Sequence, residues 1–266
     1  MIEITQGGSP IVLGMPHTGT DVPPEIWDKL NERGQALADT DWHIDRLYNG
    51  LGLDVTVVRT PIHRYVIDPN RGPDDASLYP GQNTTGLCPL TDFEGFPIYH
   101  DGQEPDAEEV EQRRKAYHAP YHDALSTELA RVKAKHGIAL LYDCHSIRSV
   151  IPFLFEGTLP DFNIGTNLGT TCAPEIEAAT TAICTNTAGY TATVNGRFKG
   201  GWTTRHYGRP ETGIHAIQME LAQATYLSDE AAPWTYDEFK AAKLRPHLTA
   251  ILTALTALTP SLGGKS

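Results

Sequence analysis

Short apolar segments and longer segments with helical spacing alternate along most of the chain. The short segments are rich in Val, Ile and Leu, and they predict strands at 11–15, 55–59, 64–67, 138–142 and 215–221. The longer segments predict helices at 23–37, 40–50, 108–135, 174–185 and 236–258, with breaks at Pro120 and Pro246. This alternation predicts one α/β domain over residues 1–266, in which helices flank a mixed sheet.

Residues 72–104 depart from this alternation. They are rich in Gly, Pro, Asp and Thr, and they contain few periodic apolar positions. Irregular segments of this length inside a compact domain usually have a function. We therefore expect this segment to cover a substrate.

The amino-acid composition limits the kinds of molecule that the protein is expected to bind. The chain has 21 Lys and Arg against 33 Asp and Glu, a formal charge of −12 that repels nucleic acids and anionic membranes. The four cysteines form no CxxC pair, which favours free thiols in a reducing compartment. Neither a signal peptide nor an apolar run of membrane-spanning length is recognisable. We expect a cytoplasmic protein that acts on a small molecule, with no nucleic acid or membrane partner.

Polar side chains follow several of the predicted strands. His17, the segment 68–71, His145 and Glu220 all lie at or just beyond the end of an apolar run. Because ligands bind at the carboxyl ends of strands in α/β sheets, we expect these residues to converge. A catalytic zinc site commonly has three protein ligands, and His17 and His145 supply two. We predict Asp41 as the third, with His43 and Asp45 as alternatives.

The other polar positions allow more than one interpretation. Glu220 is either a general base or half of a structural ion pair. Asp143 either orients the imidazole of His145 or caps a turn. Arg71 and Arg205 are candidates for binding a carboxylate through two parallel hydrogen bonds, or they form surface salt bridges. We interpret His118 and His122, on either side of Pro120, as structural.

Six motifs occur in a fixed order between about residues 10 and 226. They are Pro16-His17-Thr18-Gly19, Thr40-Asp41-Trp42-His43, Asp68-Pro69-Asn70-Arg71, Asp143-Cys144-His145-Ser146, Gly200-Gly201-Trp202 and Gln218-Met219-Glu220. Together they resemble the N-formylglutamate amidohydrolase family. The resemblance implies a phosphorylase/hydrolase-like α/β fold related to the zinc carboxypeptidases and the aspartoacylase group.

The resemblance also implies a site and a reaction. His17 and His145 match metal-binding histidines, and Glu220 matches a general base. Asn70 and Arg71 match an Asn-Arg pair that binds a substrate carboxylate, and we assign Arg71 to catalysis as well. The implied reaction is metal-dependent hydrolysis of N-formyl-L-glutamate to formate and L-glutamate, the last step of a histidine degradation route.

Two details depend on this implied reaction. The relatives have a ligating Glu where this chain has Thr20, which cannot replace it, so Asp41 is our substitute ligand for Zn²⁺ or another divalent metal. The implied substrate is a small dicarboxylate, so we expect at least two arginines to bind its two carboxylates. We predict Arg71 and Arg205 for this role, with Arg148 and Arg197 in reserve.

Three other functions remain open at this point. The same metal site could act on another N-acyl amino acid or on a C-terminal peptide bond. The chain could instead be a ligand-binding protein without catalysis. Ser146 or Cys144 could act as a nucleophile beside His145, although no Gly-x-Ser-x-Gly motif is present. The metal's identity and the oligomeric state are also open.

Overall fold

A mixed sheet of seven strands forms the centre of the protein, in a computed structural model that describes residues 1–78 and 81–263. The strands are β1 (Glu3–Thr5), β2 (Ile11–Met15), β3 (Thr56–Arg59), β4 (Ala139–Ile147), β5 (Phe162–Gly165), β6 (Ala192–Val194) and β7 (Ile214–Ala222). Their order in the sheet is β1-β3-β2-β4-β7-β5-β6. The four strands β3, β2, β4 and β7 run parallel, so their carboxyl ends meet at one edge.

Eight α-helices accompany the sheet in the described part of the chain. They are α1 (Pro24–Trp27), α2 (Glu32–Gln35), α3 (Ile44–Tyr48), α4 (Ala107–Arg113), α5 (Ala119–His136), α6 (Pro174–Thr185), α7 (Trp202–Tyr207) and α8 (Glu238–Leu262). The predicted α/β fold with helices flanking a mixed sheet is confirmed. None of these helices is long and apolar enough to cross a membrane.

Side-chain alternation along the strands separates two apolar layers. In β7, Ile217, Met219 and Leu221 face the larger layer, which also contains residues of α3, α6 and α8. Ala216 faces the smaller layer, where α5 packs against the sheet. Because successive strand residues point to opposite faces, Gln218 and Glu220 share the face of Ala216. The alternation predicted for this strand is therefore the one observed.

Several predicted elements are wrong in extent. Residues 64–67 form a turn rather than a strand, and the helix predicted over 23–37 is two single turns, α1 and α2. The helix predicted over 40–50 is only α3, because His43 adopts a left-handed backbone conformation immediately before it. The short strands β1, β5 and β6 and the helix α7 were not predicted, because three to six residues carry little periodic signal.

The helix break expected at Pro246 is wrong, and the junction of two helices expected near Pro120 is a π-helical segment. A π-helical segment, Arg114–His118, joins α4 directly to α5, and Pro120 lies in the first turn of α5. A π-helical turn accommodates one extra residue within a continuous helix. In α8, Leu244 and Leu248 on either side of Pro246 are fully buried. Their burial offsets the hydrogen bond that the proline lacks.

Candidate active site

A pocket of about 650 Å³, including its open mouth, lies at the carboxyl ends of the parallel strands. His17 follows β2, His145 lies near the end of β4, and Glu220 is its direct neighbour on β7. Asn70 and Arg71 also line this pocket. The expected convergence of residues that are remote in sequence is therefore observed.

Three side chains form a cluster at the base of the pocket. His17, Asp41 and His145 are all buried, and one ligand-type atom from each lies within 4.8 Å of the others. Oδ2 of Asp41 is 3.2 Å from Nδ1 of His145 and 3.7 Å from Nδ1 of His17. The amide of Asp41 donates to the carbonyl of His17, which holds the two residues together. We refer to these three residues as the His-Asp-His cluster.

The two alternative ligands to Asp41 point elsewhere. Nε2 of His43 is 2.8 Å from the carbonyl oxygen of Trp234, and its ring packs against Tyr236. The side chain of Asp45 is 44% exposed and lies 3.7 Å from Arg59. Of the three candidates in this segment, only Asp41 lies beside both histidines.

Carboxylates lie beside both imidazole rings. Nε2 of His17 donates to Oδ1 of Asp68 at 2.7 Å, which leaves Nδ1 facing the cluster. Oδ1 of Asp143 lies 3.2 Å from Nε2 of His145, so the ring's Nδ1 also faces the cluster. This contact is an ion-pair distance without a hydrogen bond, so the orienting role of Asp143 considered from the sequence stays a prediction. Asp68 was seen in its motif, but its contact with His17 was not predicted, since irregular chain separates β3 from residue 68.

The cluster fits a divalent cation. Nδ1 of His17 and Oδ1 of Asp41 are buried, and neither has a hydrogen-bond partner among the described residues. Two imidazole nitrogens and a carboxylate oxygen are ligands that zinc commonly takes. Burial opposes protonation of His145, but Asp143 and Asp41 raise its pKa well above the usual value. An environment that stabilises a protonated imidazole in this way also favours a bound cation.

Glu220 is the buried carboxyl group beside the cluster. Burial raises its pKa to about 8; Asp41 and Asp143 act in the same direction, and His145 opposes them. Nε2 of Gln218 donates to Oε2 of Glu220 at 3.1 Å. Oε1 of Gln218 in turn accepts from the amide of Gly201, which fixes the orientation of the Gln218 amide. Glu220 can therefore exchange a proton near neutral pH from a fixed position.

The Asp68-Pro69-Asn70-Arg71 turn forms one wall. Nδ2 of Asn70 lies 3.3 Å from Nε2 of His145, and its Oδ1 accepts from the amide of Thr203. Gly201 packs so closely against Asn70 that a Cβ there would overlap the amide group. Nη2 of Arg71 donates to the hydroxyl of Thr85 at 3.3 Å. The turn thus places an amide and a guanidinium group on the pocket surface.

Arg64 is a pocket residue that was not predicted. It is buried, its Nη2 donates to Asp68 at 2.6 Å, and its Nη1 is 3.9 Å from Asp41. Burial opposes its charge, but the surrounding aspartates raise the pKa of Arg64. The guanidinium therefore remains charged beside the cluster. In the sequence, Arg64 is a basic residue at the start of an apolar segment that predicts a strand, and this pattern does not indicate a pocket residue.

Of the other predicted arginines, one lines the pocket and two lie outside its lining. Arg205 lies on α7 outside the pocket lining, and its Nε donates to the carbonyl of Gly200. Arg148 contacts Glu94 and Asp39. Arg197, which we had placed in reserve, lines the pocket. The role of Arg205 as the second arginine stays a prediction, and Arg197 is the one of the two that lines the pocket.

His118 and His122 hydrogen-bond to the backbone of the 68–71 turn. Nε2 of His118 donates to the carbonyl of Arg71 at 2.9 Å, and Nε2 of His122 donates to that of Pro69 at 2.8 Å. One helical turn earlier, Nη1 of Arg113 donates to the carbonyl of Val66. His118 and His122 thus make structural contacts, as expected from the sequence. They fix the backbone that carries Asn70 and Arg71.

The alternative nucleophiles have unfavourable surroundings. Cys144 is fully buried in the larger apolar layer, where burial raises the pKa of its thiol well above the ordinary value. The hydroxyl of Ser146 accepts from Tyr226 at 2.7 Å and from Gln223 at 3.4 Å. Among the hydrogen bonds of the described residues, none joins Ser146 Oγ to a histidine. Neither side chain is therefore activated by a neighbouring base.

The segment 72–104 lies partly over this pocket. Asn83, Thr84, Thr85 and Phe93 line it, and Nδ2 of Asn83 donates to the carbonyl of Phe153 from the opposite side. Residues 79 and 80 lie outside the described part of the chain. The described part of the segment thus forms part of the pocket wall.

Known proteins with a similar sequence cover nearly the whole chain. N-formylglutamate deformylase of Pseudomonas aeruginosa is 46% identical over 258 residues, which are 97% of this chain and 96% of that protein. The enzyme of the same name from Pseudomonas putida is 45% identical, with the same coverage of 97% and 96%. The sequence model of the N-formylglutamate amidohydrolase family matches residues 9–227.

Solved structures agree with the fold. N-formylglutamate amidohydrolase from Ralstonia eutropha superposes with a TM-score of 0.83 at 24% identity, over 98% of both chains. A gene product of Agrobacterium tumefaciens gives a TM-score of 0.72 at 19% identity, covering 97% of this chain and 95% of that one. The family match spans most of the sequence, and it includes every residue of the pocket described above. The chain therefore belongs to the N-formylglutamate amidohydrolase family.

Proposed function

We propose that the protein is an N-formylglutamate deformylase, which hydrolyses N-formyl-L-glutamate to formate and L-glutamate. The observation that carries this proposal is the His-Asp-His cluster beside the buried Glu220, in a pocket that also presents Arg71. Hydrolysis of an amide needs an activated water and a proton donor for the leaving nitrogen. An acidic substrate needs cationic groups, which the pocket concentrates within a chain of net charge −12.

His17, Asp41 and His145 would hold the metal ion, for which we favour zinc. A divalent ion in such a site acts as a Lewis acid and makes water a nucleophile near neutral pH. Asp68 and Asp143 would keep the two imidazole rings in position for this role.

Glu220 would be the general base and then the general acid. Its carboxylate accepts a proton as water attacks the formyl carbon, and it returns this proton to the nitrogen as the carbon–nitrogen bond breaks. The amine leaves as L-glutamate and the formyl group as formate. Because its pKa is raised to about 8, Glu220 can both accept and donate near neutral pH.

Arginines would bind and stabilise negative charge. Asn70 and Arg71 are suited to bind a substrate carboxylate, since an amide and a planar guanidinium offer several donors on one surface. The charged Arg64, beside Asp41, is placed to stabilise charge that develops on the formyl oxygen.

The cellular setting belongs to the same proposal. We infer that this reaction completes a histidine degradation route in the cytoplasm. The four cysteines are all free and buried, which is compatible with a reducing compartment.

The test is formate release from N-formyl-L-glutamate by the purified protein, with its zinc content measured. We expect activity to be lost after chelation and restored by stoichiometric zinc. Formate release that is insensitive to complete metal removal would contradict the metal site. No release with zinc present would contradict the substrate, and a panel of other N-acyl amino acids would then separate a related deacylase from a binding protein.

A further inference from the structure

A dicarboxylate substrate presents two negative groups, and besides Arg71 the pocket is lined by Arg197 and by Arg64, of which Arg64 is paired with Asp68. We infer that Arg197 binds the side-chain carboxylate of the substrate and that Arg71 binds the α-carboxylate. We further infer that the segment Asn83–Thr85 sets the distance between the two guanidinium groups. This inference rests on the proposed function, because it specifies how that substrate is selected.

Both guanidinium groups hydrogen-bond to the same short segment. Nη2 of Arg71 donates to the hydroxyl of Thr85 at 3.3 Å, and Nη2 of Arg197 donates to the carbonyl of Asn83 at 3.2 Å. Two residue steps of extended chain span at most about 7 Å. The two cationic groups are therefore held at neighbouring places on one wall. Two guanidinium groups bonded to one short segment suit a substrate whose two carboxylates are joined through a short carbon chain, as in glutamate.

The position of the His-Asp-His cluster determines which arginine binds which carboxylate. Arg71 belongs to the turn whose Asp68 and Asn70 contact His17 and His145. In the substrate, the formylated nitrogen and the α-carboxylate are attached to the same carbon, so the α-carboxylate must lie nearer the cluster. The side-chain carboxylate lies further away, at the more distant arginine.

Arg197 is fixed at that more distant position by two loops. Its Nε donates to the carbonyl of Leu154 at 2.9 Å, while its Nη2 contacts Asn83. Asn83 in turn donates to Phe153, so the two loops are joined around the guanidinium. A cation that is held in place before binding loses little conformational entropy when it meets a carboxylate.

The experiment compares two substrates on the same enzyme sample. N-formyl-L-glutamine retains the α-carboxylate but has an amide in place of the side-chain carboxylate. We expect Arg197→Met to lower kcat/KM for N-formyl-L-glutamate about 10- to 100-fold, the range expected for a charge-assisted hydrogen bond. We expect little change for N-formyl-L-glutamine, so the preference for glutamate should collapse. The ratio of the two values does not depend on the fraction of enzyme that is folded.

Arg131→Met is the matched control, because Arg131 is a half-buried arginine on α5 outside the pocket lining, where it contacts Glu128 and Thr56. Its substrate ratio should equal that of the wild type. Arg71→Met should lower kcat/KM for both substrates, since both carry an α-carboxylate. In the wild type, N-formyl-L-aspartate should be a poorer substrate than N-formyl-L-glutamate, because its carboxylates are one carbon closer.

The outcomes separate this inference from the proposed function. If the wild type releases no formate from N-formyl-L-glutamate, the proposed function fails and the inference fails with it. If the wild type is active but Arg197→Met lowers both kcat/KM values equally, the assignment of Arg197 alone is overturned. An equal kcat/KM of the wild type for the aspartate and glutamate substrates would overturn the role of the 83–85 segment.

Discussion

Two pairs of histidines lie on either side of the 68–71 turn, and their surroundings are opposite. The rings of His17 and His145 are 4.9 Å apart, and the carboxylates of Asp41, Asp68 and Asp143 surround them. The rings of His118 and His122 are 4.5 Å apart and contact backbone carbonyls and the indole of Trp202.

The difference has a direct electrostatic consequence. The carboxylates raise the pKa of His145 despite its burial, whereas burial and the neighbouring His118 lower the pKa of His122 to about 3. The first pair is suited to bind a cation, and the second pair stays neutral and donates hydrogen bonds. Close pairing of histidines alone therefore does not distinguish a candidate metal site from a structural pair, whereas the charges around the rings do.

The largest expected effect of a single substitution is at Glu220, beside His17 and His145. Glu220→Gln should lower kcat for formate release about 10²- to 10⁴-fold, because the amide cannot accept the proton of the attacking water. Bound zinc should stay at the wild-type level, since Glu220 is outside the His-Asp-His cluster. Steady-state kinetics and elemental analysis of the same sample check both expectations. Near wild-type kcat in this variant would remove Glu220 as the base.

A smaller effect is expected from the carboxylate that orients His17. Asp68→Asn should weaken zinc affinity about 10- to 100-fold, the usual cost of removing a carboxylate behind a metal-bound histidine. Competition with a zinc indicator measures this affinity. Asp45→Asn is the control, because Asp45 lies outside the cluster and should leave affinity unchanged. Loss of affinity in Asp45→Asn instead would revive Asp45 as a ligand.

The smallest expected effect concerns His122 of the neutral pair, and it changes the free energy of unfolding only at acidic pH. Because the pKa of His122 is about 3 in the folded protein and near 6.5 when unfolded, the folded state binds fewer protons between these values. The free energy of unfolding should therefore fall as pH falls through this window. His122→Gln should remove on the order of 3 kcal/mol of this loss between about pH 7 and about pH 4. Denaturant titrations of both proteins at several pH values test this, and parallel pH profiles would contradict it.

Residues that immediately follow long apolar strands could be predicted from the sequence. His17, His145 and Glu220 were located in this way, because the carboxyl ends of parallel strands meet. Asp41 was predicted as the third ligand with His43 and Asp45 as alternatives, and it is the one of the three that lies beside both histidines.

Residues whose direction depends on irregular backbone could not be predicted. Arg197 and Arg205 both lie near the glycines 200 and 201, and no periodicity indicates which one turns toward the pocket. Arg64 was hidden in an apolar segment that forms a turn instead of a strand. The contact between Gln218 and Glu220 needs the register of β7 against β4 and the position of Gly201, which only the folded chain provides.

The π-helical segment before α5 constrains the number of residues in this part of the protein more strongly than their identity. Arg113 just before it, His118 at its end and His122 beyond it contact the same stretch, at the carbonyls of Val66, Arg71 and Pro69. Deleting one residue would restore an ordinary α-helix and rotate the downstream side chains by about 100°. Substitutions of the exposed Lys115 and Ala116 should therefore be tolerated where a single-residue deletion is not, and homologous chains should vary at these two positions in sequence but not in length.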